Sequence, residues 1–200
     1  MLKKNFQNLQ LTLYRLAREF DRASVTLAVS DSETFNHTIQ MIIVRLQDEW
    51  GHFVRNLILH SASGLGKTLS STGVSSSIGF NGYAAVNTWI KCNRPTSRDP
   101  DWHVANISIE WAKKLKLSNY SDISAALGST NSPETEIRLY RNFIVHRYDE
   151  TAKKLRVHLQ GSGRKVSQLS ALPLELTPGG STLFQSWVAN IELVARVASS

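Results

Sequence analysis

Cysteine is nearly absent from this 200-residue chain: Cys92 stands alone, so no intramolecular disulfide can form and a reducing compartment suits it. No uncharged apolar run approaches the roughly 18–20 residues that cross a bilayer, so no membrane partner is expected. The opening Met1-Leu2-Lys3-Lys4-Asn5-Phe6-Gln7-Asn8 carries charge without the apolar stretch of a secretory leader. Internal repeats and βαβ alternation are missing, and the composition excludes a collagen-like, disulfide-rich or wholly disordered chain. What is left is a globular protein of cytoplasmic type. With 42% hydrophobic residues against 20% charged, a core is expected, since chains of this length bury about 70% of their unfolded surface. One domain over residues 1–200 is the expectation, with a helical core at about 1–157 and an extension at 158–200.

The net charge is +7, which invites an anionic partner. Lys113, Lys114 and Lys116 form one basic cluster. Arg138, Arg141, Arg147, Lys153, Lys154 and Arg156 form another.

Helical periodicity dominates the pattern. Phe6, Leu9, Leu13, Leu16, Phe20 and Leu27 mark a first helix. Ser30-Asp31-Ser32-Glu33 supplies capping chemistry for a second, whose stripe of Phe35, Ile39, Ile42, Leu46, Trp50, Phe53 and Leu57 closes near Gly64. At 1.5 Å per residue this second helix is about 45 Å long, and the two together predict an antiparallel hairpin. Residues 61–77 are rich in Ser, Gly and Thr and read as a loop; residues 83–90 fit a short helix or a strand. After a connector at 93–100, Asp101 is placed to cap a helix carrying Val104, Ile107, Trp111 and Leu115, and Ser121 opens a short helix ending at Gly128. Ser132, Pro133, Glu134 and Glu136 then give a strong start signal for a helix running to about Arg156. A final helix holds Leu183, Trp187, Ile191 and Val194. The fold class predicted is all-α, an up-and-down bundle with a long N-terminal hairpin and an extra C-terminal helix.

Ser61-Ala62-Ser63-Gly64-Leu65-Gly66-Lys67-Thr68 ends like a phosphate-binding loop. That motif needs glycine where Ser61 stands, a strand before it and a helix after it, so that amides converge on phosphate. A helix precedes it here, and Leu69-Ser70-Ser71-Thr72-Gly73 opens a helix poorly. Nucleotide hydrolysis by this route is not expected.

Chemistry concentrates in Tyr140-Arg141-Asn142-Phe143-Ile144-Val145-His146-Arg147-Tyr148. Asn142 and His146 are one helical turn apart and share a face, whereas Arg141 and His146 differ by about 140° around the axis. A single helix is therefore a poor site. Two copies meeting about a two-fold axis would gather two of each residue in one cleft, with Ile137, Tyr140, Ile144, Tyr148 and Leu155 as the apolar stripe behind. Imidazole, with an unperturbed pKa near 6.5, can take a proton from a ribose 2′-OH or give one to the leaving 5′-oxygen. Guanidinium stays charged and clamps phosphate oxygens. This chemistry requires no metal or other cofactor, and His37, His52 and His158 show no ligand spacing with one another or with Cys92. The same Arg-Asn spacing to His recurs at Arg55, Asn56 and His60, where His60 continues the apolar stripe and reads as packing or capping.

Arg-Asn, three residues and His in a late helix of an all-α domain resembles the HEPN superfamily, whose members include metal-independent endoribonucleases. The resemblance spans about residues 1–157. It implies a homodimer whose motifs line a shared cleft, with Arg141, Asn142 and His146 catalytic and RNA as substrate. Arg138, Arg147, Lys153 and Lys154 would follow the RNA backbone, and Arg55 would reach RNA or the cleft. Some HEPN toxins carry Tyr two places after the His, where a partner nucleotidyltransferase adenylylates it; Tyr148 holds that position. The chain is longer than those compact toxins. The expectation is a toxin or defence effector, including against phage, with a cognate antitoxin; the rival is a non-catalytic HEPN-like module that binds RNA or protein.

Overall fold

The apolar periodicity of the first sixty positions becomes two long helices. The computed structural model describes residues 1–27, 32–96, 98–129, 132–164 and 169–200. In order these form α1 (Leu2–Leu27), α2 (Ser32–Ala62), β1 (Gly66–Lys67), β2 (Gly73–Val74), α3 (Tyr83–Asn93), α4 (Ala105–Lys114), α5 (Tyr120–Leu127), α6 (Glu134–His146), α7 (Asp149–Gly161), a 3-10 turn (Leu169–Leu174) and α8 (Leu183–Ala198). Helix predominates, as the sequence predicts. Ser30 and Asp31 of the expected α2 cap, and the side chains of Leu27 and Phe35, lie outside the described residues. Asn5 of α1 donates to the Phe53 carbonyl of α2 (3.1 Å), whereas Glu19, later in α1, meets Arg45, earlier in α2 (2.7 Å). That reversed order is what a helical hairpin requires.

The chain divides into two compact units. The first comprises Met1–Leu11, Asp48–Ser132 and Glu192–Ser200. Leu2, Phe6, Leu9, Trp50, Phe53, Leu57, Val86, Ile90, Trp111 and Ile123 are buried in it. Residues 61–77 depart from the expected irregular loop: β1 and β2 pair antiparallel, Gly66 opposite Val74 and Lys67 opposite Gly73. Beside the buried Val74, hydroxyls anchor this segment, with Thr68 Oγ1 accepting the Thr72 amide (3.2 Å) and the buried Ser76 Oγ donating to the Leu115 carbonyl. Lys67 is exposed in a two-residue strand that turns back into β2 with no helix following, so the amide cradle of a phosphate-binding loop is not formed. Residues 83–90 fall within α3. Asp101 does not cap α4: Val104 holds that position, and Asp101 contributes only its carbonyl to the Val104 amide (2.8 Å).

The second unit comprises Thr12–Gln47 and Pro133–Ile191. Leu13, Leu16, Phe20, Ile39, Ile42, Leu46, Ile137, Tyr140, Leu155, Leu172, Phe184 and Trp187 are buried in it. The Phe20 and Phe184 rings stack at 4.2 Å and 9°. The helix expected from Ser132 to Arg156 is two helices. Pro133, not Ser132, precedes α6, and the shielded Ser132 hydroxyl has no partner among the described residues. Arg147 ends α6 in the left-handed conformation (φ 50°, ψ 26°), and extended Tyr148 leads into α7.

Candidate functional site

The motif helix is held from behind. Ile137, Tyr140 and Ile144 form its buried stripe, and the Tyr140 hydroxyl donates to the Ser170 carbonyl (3.0 Å). Burial of Tyr140 pushes its phenol well above the ordinary 10. Glu136, expected as a first-turn acid serving the helix dipole, is buried and serves as a hub. It accepts from Trp187 Nε1 (2.8 Å) and from the Arg164 guanidinium, with His158 Nε2 at 3.5 Å. A carboxylate saturated by an indole and a guanidinium fixes α6 in rotation about its axis as well as in depth.

At 100° per residue, Asn142 stands about 160° from both Tyr140 and Ile144, and His146 about 120–160° from them. His146, the last residue of α6, is accordingly exposed, while Asn142 and Arg141 are half-buried. Arg141 donates from one terminal nitrogen to Asn142 Oδ1 at 3.4 Å, a long bond that leaves the guanidinium open to a stronger acceptor. Asn142 thus pairs with Arg141 and makes no hydrogen bond to His146 among the described residues.

The break at Arg147 shapes the other side. Its left-handed turn brings Tyr148 back beside His146, the rings lying 6.2 Å apart at 11°. Tyr148 is 69% exposed, so its expected place on the apolar stripe is wrong: once α6 stops at His146, the helical phase that would have carried it inward is lost. Arg147, Lys153 and Arg156 are exposed; Lys154 is exposed and pairs with Glu150 one turn back (2.7 Å), which holds the Glu150 carboxyl below its ordinary range. Arg138 is half-buried, its shielded Nε without a partner among the described residues. Arg138, Arg141, Asn142, His146, Arg147, Tyr148, Lys153 and Lys154 are thus gathered in the second unit.

Arg55 belongs to the first unit. Its guanidinium donates to Asp99 Oδ2 (3.1 Å), Tyr83 Oη (2.8 Å) and Asn87 Oδ1 (3.3 Å). His60 packs its ring 5.3 Å from Tyr83, its buried Nδ1 has no partner among the described residues, and burial, then the N-terminal ammonium, depress its pKa below the ordinary 6.5. The packing role expected of His60 matches this setting. Sequence reading missed Tyr83, Asn87 and Asp99 as partners of Arg55. The signal is the spacing of Tyr83 and Asn87, one helical turn apart, but from sequence residues 83–90 fit a helix or a strand equally.

An exposed imidazole, a loosely held guanidinium and a run of cations can bind a polyanion and move a proton at its backbone. No protein-family model matches the chain, and neither a curated protein nor a solved structure is significantly similar to it.

Proposed function

We propose that this protein is a metal-independent endoribonuclease that cuts RNA by internal transfer at a site completed by a second copy of the chain. One observation carries the reading: His146 ends α6 exposed and stacked on Tyr148, with no hydrogen-bond partner among the described residues, one turn from the Arg141–Asn142 pair. In the reaction the His146 imidazole of one copy takes the 2′-OH proton and the 2′-oxygen attacks phosphorus. The bond to the 5′-oxygen breaks, and imidazolium from the other copy protonates that oxygen, leaving a 2′,3′-cyclic phosphate. Arg141 holds the phosphate oxygens while charge builds, and Asn142 orients Arg141. Arg138, Arg147, Lys153 and Lys154 follow the strand. The HEPN resemblance supports this assignment, and with it a cytoplasmic toxin or defence effector whose cognate antitoxin acts at Tyr148 or over the cleft.

The test is cleavage of a labelled RNA in EDTA. His146→Ala is expected to slow cutting by about 10²–10⁴-fold and Arg141→Ala by about 10²–10³-fold; equal rates in both variants and wild type sink the assignment. A second reading, a HEPN-like module that binds RNA or protein without cutting, is favoured because no group among the described residues hydrogen-bonds His146 to set its tautomer. Gel shifts that leave the RNA intact after long incubation would select it.

A further inference from the structure

Tyr140 and Tyr148 bracket the motif and are used in opposite ways. Tyr140 is fully buried, with its hydroxyl bonded to the Ser170 carbonyl, which is a packing role. Tyr148 is exposed, and its hydroxyl makes no hydrogen bond among the described residues. Its backbone is nevertheless pinned. The Tyr148 carbonyl accepts from the Thr151 amide (3.0 Å), the Ala152 amide (3.2 Å) and the Thr151 hydroxyl (2.7 Å), and the preceding Arg147 amide donates to the Phe143 carbonyl (3.0 Å). The ring is therefore carried from a fixed point. Its one ring contact among the described residues is with His146, 6.2 Å away and within 11° of parallel. Its other neighbours in sequence, Arg147, Asp149 and Glu150, are exposed and charged, so the ring is a lone flat face and not part of a wide apolar patch.

We propose that Tyr148 is the base shelf of the site: the nucleobase on the 5′ side of the scissile phosphate rests on its ring while His146 works on that nucleotide's 2′-oxygen. The shelf rests on the ribonuclease reading and adds to it the residue that holds the strand in register. A base and its own 2′-oxygen hang from one sugar, so a base on Tyr148 brings that oxygen to the adjoining imidazole with no nucleotide between them. Charge decides which part of the strand lies there. Glu150 is compensated by Lys154 (2.7 Å), but Asp149, next in sequence to Tyr148, has no ion-pair partner among the described residues. A phosphate laid on the ring would sit beside an uncompensated carboxylate, whereas an uncharged base would not, and the phosphate falls to Arg141. Every base has a π-face, so the shelf accepts all four and favours those that stack best, purines over pyrimidines.

The experiment uses the full chain and 2′-O-methyl oligonucleotides that hold a single ribonucleotide, so that only one bond can be cut by internal transfer. That ribonucleotide carries adenine, uracil or no base. Wild type is expected to cut the adenine substrate about tenfold faster than the abasic one in kcat/KM, with uracil between them. Tyr148→Ala should bring that ratio close to one. Tyr148→Phe, which keeps the ring face and loses the hydroxyl, should restore it. Tyr148→Ala that keeps the wild-type ratio overturns the shelf. So does Tyr148→Phe that behaves as Tyr148→Ala, since the hydroxyl and not the face would then matter, or a dimer that Tyr148→Ala dissolves. A second arm does not depend on cleavage. A fully 2′-O-methylated strand carries one 2-aminopurine between abasic residues, and its fluorescence falls when it stacks on a ring; wild type should quench it and Tyr148→Ala should not. The two proposals fail separately. Quenching through Tyr148 with every single-ribonucleotide substrate left uncut removes the nuclease and keeps the base shelf. Cutting with no preference for a base over none removes the shelf and keeps the nuclease.

Discussion

His146 owes its accessibility to a single neighbour. Arg147 adopts φ 50°, a region that costs a non-glycine residue about 1–2 kcal/mol, and the turn it makes keeps the next helix from covering the imidazole. Arg147→Gly is expected to raise stability by about 0.5–1.5 kcal/mol in urea unfolding while weakening RNA binding, because strain and one cation leave together. Glu136 predicts the opposite sign. Glu136→Ala strips Trp187 Nε1 and the Arg164 guanidinium of their acceptor, and a loss of about 2–4 kcal/mol is expected from the same measurement. That loss should exceed that of Glu150→Ala, whose ion pair with Lys154 lies exposed at the surface.

Among the elements, the β1–β2 ladder separates a packing role from a phosphate-binding one. A Cβ on Gly66 would sit 2.6 Å from Val74 Cγ2 and 3.0 Å from the His60 carbonyl oxygen, so the ladder depends on a bare backbone there. Gly66→Ala should cost about 1–3 kcal/mol, whereas Lys67→Ala at the exposed neighbour should leave the thermal midpoint unchanged and abolish no ATP or GTP turnover. The elements legible from sequence were those with long repeats of one pattern. The α1 and α2 stripes run over several turns, and no local preference outweighs them. The division of α6 from α7 was not legible. Ser132, Pro133 and the first-turn acids announce one helix start, and the second start, Asp149-Glu150, is equally consistent with solvated positions in the middle of a longer helix.

For the molecule as a whole, pH and assembly are the informative variables. The His60 imidazole has a folded-state pKa below 6.5, so as pH falls through 6.5 the unfolded chain takes up a proton that the folded chain refuses. Its contribution to stability is therefore present at neutral pH and is lost between 6.5 and the lowered value. Thermal midpoints should fall across that window in wild type, and less steeply in His60→Phe, which keeps a ring against Tyr83. Sedimentation should show a dimer if the composite cleft exists, and mixing His146→Ala with Arg141→Ala chains tests it further: a shared site regains partial activity in the mixture.

The amino-acid order alone determines that the chain is helical, that two long amphipathic helices lead, and which apolar positions turn inward, because these follow from periodicities complete within each segment. It also presents Arg-Asn with His at the same spacing twice, at Arg55, Asn56 and His60 and at Arg141, Asn142 and His146. Locally only the apolar stripe that His60 continues separates the pair. Folding sets Tyr83, Asn87 and Asp99 around the first arginine and buries one nitrogen of its histidine, while it leaves the second histidine in solvent beside Tyr148. Burial and hydrogen-bond saturation depend on residues tens of positions away, and those contacts decide which of two like strings is spent on packing and which keeps its histidine exposed.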